Sequence, residues 1–106
     1  MEENFKIIYE ILNKLESGMD LPEFDKSTIS YNSLEISESK WCRIIEMLTD
    51  SGYITGVHLW MSYDCTCPQV ELVRPEITLK GLEYLHENSI MQRLFKTANG
   101  IKEIAP

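Results

Sequence analysis

The sequence predicts an α+β fold, a winged helix-turn-helix with a two-stranded wing and an additional C-terminal helix, on three observations. Ser37 can cap a helix whose apolar positions, Trp41, Ile44, Ile45 and Leu48, keep the i, i+3, i+4, i+7 spacing of one buried face. Ser51-Gly52 stops that helix, because glycine takes the left-handed conformation beyond a helix end without a Cβ penalty. A β-branched and aromatic run follows, Tyr53, Ile54, Val57, Leu59, Trp60 and Tyr63, and reads as strand.

The chain in order fits this frame. Residues 4–17 form a first helix with Phe5, Ile8, Leu12 and Leu15 on its stripe, widened by Ile11, and Ser17-Gly18 as its stop. Residues 19–30 lack sustained periodicity. Leu21-Pro22 reads as extended or turn, since proline drives its predecessor out of the α region. A winged helix would place a short first strand here, with Leu21, Phe24 and Ile29 tucked under the first helix. Residues 31–36 supply one or two helical turns with Leu34 and Ile36 inward, the first helix of the helix-turn-helix.

Residues 38–51 then form the helix that a winged-helix protein would use for reading. Its buried stripe leaves Ser39, Lys40, Arg43, Met47 and Asp50 outward. Residues 53–63 and 69–74 read as a hairpin, with Val57, Leu59 and Met61 alternating against His58, Trp60 and Ser62. Both faces carry apolar side chains, so the wing is either packed on both sides or exposes a patch. Thr78 caps a helix over 79–88, with Leu82 and Leu85 inward and Asn88 at its end. Gly81 in its first turn implies close packing against a neighbour. Ser89 opens a C-terminal helix with Leu94 and Phe95 on its stripe, which either crosses the first helix or pairs with a second subunit as a homodimer.

Length and charge narrow the function. A chain of 106 residues is one domain, 1–106, with room for a modest core and no deep pocket. With no phosphate loop or catalytic signature either, the expectation is a binding protein and not an enzyme. No apolar run approaches the roughly 20 residues of a membrane span. Met1-Glu2-Glu3 is acidic where a signal peptide is basic, so the expected location is cytoplasmic. The formal net charge is −7, and no segment is basic: three basic and eight acidic side chains leave residues 1–37 at −5. Four basic against six acidic leave residues 38–80 at −2, and residues 81–106 balance. Duplex DNA is held largely through Lys and Arg on phosphates, so this balance weighs against strong binding.

Cys65-Thr66-Cys67, with His58 in the preceding strand, is the one candidate metal cluster. The C-x-C spacing has no second pair, and structural zinc wants four ligands, so these read as loop thiols and no cofactor or metal is expected. Cys42 borders the buried stripe and reads as a small hydrophobe.

Asp50-Ser-Gly-Tyr-Ile-Thr-Gly-Val-His-Leu-Trp60, followed by Glu76-Ile-Thr-Leu-Lys-Gly-Leu-Glu-Tyr-Leu-His-Glu-Asn88, resembles the YjcQ family. The resemblance implies a small winged-helix protein of Gram-positive bacteria or their phages and prophages, and it assigns no catalytic or binding residue. Two functions therefore stand side by side. In the first, duplex DNA is bound through Ser39, Lys40, Arg43 and Arg74 by a transcriptional regulator of phage or prophage type. In the second, a protein partner is bound at Trp60 and Tyr63, or at Leu94 and Phe95, by an acidic interaction module that leaves DNA alone.

Overall fold

A computed structural model describes residues 2–61, 63 and 68–88. Helix α1 (Glu2–Gly18) leads to a 3₁₀ helix at Lys26–Ile29, helix α2 (Glu38–Asp50), strand β1 (Ile54–Met61), strand β2 (Pro68–Ile77) and helix α3 over residues 79–88. The strands form one antiparallel pair packed against the helices, an α+β arrangement compatible with a winged helix.

The α1 face is rotated from the one that periodicity suggests. Ile7, Ile11, Leu12 and Leu15 are buried, whereas Phe5 is 57 % exposed. At 100° per residue the core side of α1 centres between Ile11 and Leu15, which leaves Phe5 on its margin near the chain start. Each fully buried aliphatic side chain contributes roughly 1.5–3 kcal/mol, so this face anchors the domain.

No strand forms over 19–30 among the described residues. The segment holds instead the 3₁₀ helix, capped by Asp25, whose carboxylate accepts from the Ser27 N–H at 3.0 Å and the Ser27 hydroxyl at 2.6 Å. These bonds hold the Asp25 carboxyl below its usual range. The cap is therefore at full strength above the unfolded carboxylate's range and is lost as acidification passes through the lowered folded value. Short-range capping replaces the periodicity that a four-residue helix is too short to carry.

Residues 31–35 make a turn and not a helix, with Leu34 buried and Ile36 half-buried as expected. The turn closes as a helix end would. The Ile36 N–H reaches the Tyr31 carbonyl at 3.1 Å and the Glu35 N–H reaches that of Asn32 at 3.2 Å, around Glu35 at φ 57°. This is the Schellman pattern with glutamate in the seat glycine prefers. The same pattern ends α2, where Tyr53 bonds back to Leu48 and Gly52 to Thr49, with Gly52 at φ 80°. The glycine stop read from the sequence is thus realised.

Ser37 caps α2 by accepting from the Lys40 N–H at 3.2 Å. Trp41, Cys42, Ile44, Ile45 and Leu48 are buried on its inner face. The Trp41 indole donates to the Ile29 carbonyl at 2.7 Å and meets the Tyr31 ring edge-on at 5.8 Å, locking α2 to the segment before it.

The ribbon extends farther than expected. Arg74-Pro75-Glu76 does not leave the sheet, because Thr55 pairs with Glu76 and Ile54 with Ile77. Between Thr55 and Val57 the register shifts, with Gly56 opposite Val73, Arg74 and Pro75. Gly56 sits at φ 78°, and any Cβ there would overlap the Arg74 carbonyl. This bulge at Gly56 lets the two strands resume pairing on either side. Thr78 caps α3 through the Gly81 N–H at 3.1 Å, and a Cβ on Gly81 would collide with the Tyr53 carbonyl and the Ile77 side chain. Asn88 closes the helix by donating to the Tyr84 carbonyl at 2.9 Å.

Candidate functional site

Two surfaces face outward from this frame. On α2, Ser39 and Arg43 are exposed and Lys40 is half-buried, so the three residues expected to read DNA do share the outer side of the helix start. Neither Lys40 nor Arg43 makes an ion pair among the described residues. Acidic neighbours crowd them: Glu38 and Asp50 are exposed and Glu46 is half-buried on the same helix. Two cations against three carboxylates leave α2 without a positive face.

Arg74 stands apart. Its guanidinium lies 3.3 Å from the Glu76 carboxylate, a pair open enough to water that it adds little. It rims a groove of about 610 Å³ between the end of α1, the following loop and β2. No residue of α2 lines that groove.

The wing presents the other surface. Val57, Val70 and Leu72 turn toward the core cluster, while His58 and Trp60 face water. Their rings stack at 5.1 Å and 26°. Trp60 remains 44 % exposed, Met61 63 %, and Tyr63 is fully exposed. Of the two possibilities the alternation left open, the exposed patch is the one observed. Burying a tryptophan and its neighbours is the main source of energy at many interfaces, and aromatic side chains are enriched there.

Leu94, Phe95, Cys65 and Cys67 lie outside the described residues, as does the C-terminal helix. Cys42 is buried. Among the described residues no group of three His, Cys, Asp or Glu side chains is placed to hold a metal ion, and no helix is long and apolar enough to cross a membrane. One residue with a structural hold on the wing escaped sequence reasoning. Lys26 donates to the Leu72 carbonyl at 3.0 Å, across 46 positions of chain. Its own neighbourhood carries no periodicity that could have announced the contact.

The architecture is that of a small α+β protein with a capped helix feeding an antiparallel ribbon and presenting two outward surfaces. The chain belongs to the YjcQ family, whose model (YjcQ protein) matches residues 9–104. It is similar to "Uncharacterized protein YjcQ" of Bacillus subtilis (strain 168), 31 % identical over 98 residues that cover 92 % of this chain and 93 % of that protein. No solved structure matches the chain.

Proposed function

We propose that this protein is a protein-interaction module that engages its partner through the far end of the wing. The observation that carries the reading is the exposed His58–Trp60 stack on one face of β1, with Met61 exposed at the strand end and Tyr63 exposed just beyond it. An exposed aromatic pair is stabilised when a partner removes it from water, at roughly 25 cal/mol for each Å² buried. The acidity of the chain fits such a role as well, since it suppresses non-specific contact with nucleic acid.

Duplex DNA binding by a transcriptional regulator of phage or prophage type is the second reading. It is favoured by one observation, the pair Lys40 and Arg43, a turn apart at the start of α2 and with no ion pair among the described residues. Its weakness is the company of Glu38, Glu46 and Asp50.

Photo-crosslinking in cells separates the two. A photoreactive residue at position 60 or 63 is expected to yield protein adducts, and one at position 43 none. In parallel, purified protein is expected to leave random duplexes unretarded at low salt. Retardation that fades with added salt and disappears in a Lys40→Ala, Arg43→Ala double variant overturns this reading in favour of the second.

A further inference from the structure

The two edges of the ribbon are not alike. Any two-stranded sheet leaves two rows of unpaired N–H and C=O groups, and native proteins blunt such edges with proline, lysine or covering segments. All three devices sit on β2. Pro68 and Pro75 remove donors, Lys26 occupies the Leu72 carbonyl at 3.0 Å, and the loop with Leu21, Pro22 and Phe24 walls the groove along Val73–Ile77. Strand β1 has none. Ile54–Met61 contains no proline and no formal charge, in a chain whose net charge is −7. No described strand pairs with its outer edge.

The phase of that edge follows from β2. In an antiparallel pair, residues alternate between aiming both backbone groups at the partner strand and aiming both away. Leu72, whose carbonyl is taken by Lys26, faces away from β1, and so does its opposite residue Val57. Leu59 and Met61, opposite Val70 and Pro68, keep the same phase, and Pro68 agrees with it by lacking the donor that would have pointed outward. Among the described residues, nothing pairs with the outward backbone groups of Val57, Leu59 and Met61.

The geometry points to a second copy of this chain as the occupant, pairing β1 with β1 antiparallel about Leu59. The proposal rests on the wing reading above and names its partner. Such pairing is self-complementary: Leu59 exchanges two hydrogen bonds with Leu59 of the other copy, and Val57 meets Met61 at both ends. It also sets His58 of each copy opposite Trp60 of the other, on the face where those two rings already stack within one chain. A strand free of formal charge lets two acidic chains join without bringing carboxylates together at the seam. The remaining repulsion is long-range and screened by salt, so the association tightens as ionic strength rises, opposite in sign to binding a polyanion. An edge of five residues is short, which makes this a weak, reversible dimer.

Sedimentation velocity on the full chain, from micromolar to near-millimolar concentration and at low and high salt, tests it together with amide hydrogen exchange. A dimer is expected whose fraction rises with concentration and with salt, with slowed exchange at Val57, Leu59 and Met61. Leu59→Pro, which removes the outward N–H, is expected to weaken it by at least about tenfold. Trp60→Ala, at a side chain outside the core, is expected to weaken it severalfold with an unchanged thermal midpoint. A monomer throughout overturns the proposal. So does a dimer that Trp60→Ala leaves intact with exchange on β1 unaltered. Adducts at position 60 to a different protein, with this chain monomeric, overturn it too but leave the wing reading standing.

Discussion

The base of the ribbon and its far end are built from the same two strands with the same alternation, yet they have opposite surroundings. At the base, Ile54 and Ile77 pair and are buried, Thr78 donates to the Tyr53 carbonyl at 3.0 Å, and Gly56 and Gly81 allow backbone contacts too close for any side chain. At the far end, Trp60, Met61 and Tyr63 stand in water. The cover at the far end is one-sided: Pro68, opposite Met61, is buried and Val70 packs on the core cluster, while Trp60 and Met61 are exposed. Alternation reports which side chains share a face; what covers that face is a property of the assembly.

Substitutions at the two ends should separate accordingly. The largest effect is expected for Gly56→Ala, which combines a disfavoured positive φ with overlap against the Arg74 backbone. A loss of roughly 2–4 kcal/mol should appear as a lower urea midpoint. Trp41→Phe, on the helical side that supports the base, leaves the buried Ile29 carbonyl without its donor and should cost about 1–3 kcal/mol in the same measurement. Glu35→Gly works in the other direction. Relieving the left-handed glutamate should raise stability by up to about 1 kcal/mol, read as an increase in the thermal midpoint. Trp60→Ala should be the smallest, within about 0.5 kcal/mol of the parent. If Trp60→Ala destabilised the fold as much as Trp41→Phe, the two ends would not differ and the wing's far end would be part of the core.

Much of the fold was legible because its signals are local. Ser37, Gly52, Thr78 and the α2 stripe each act within a few residues, and the structure realises all four. Phe5 was misplaced because a stripe defines a face only to within its margins. The 3₁₀ helix was missed because four residues carry no period, although Asp25 followed by Ser27 offered a capping signal. The site was less legible. Periodicity could not have told that Arg74 would pair with Glu76 or border the groove beside the loop after α1. The sequence could name Trp60 and Tyr63 as aromatic, but not as uncovered.

By itself the sequence determined the cap and the glycine stop of α2, the cap of α3, and a formal net charge of −7. Capping, glycine conformations and net charge are settled by near neighbours or by composition. Only the tertiary structure decided that Lys26 reaches the Leu72 carbonyl of β2, and that among the described residues no strand pairs with the outer edge of β1. Those outcomes depend on residues far apart in the chain meeting in space, and no local preference encodes such a meeting.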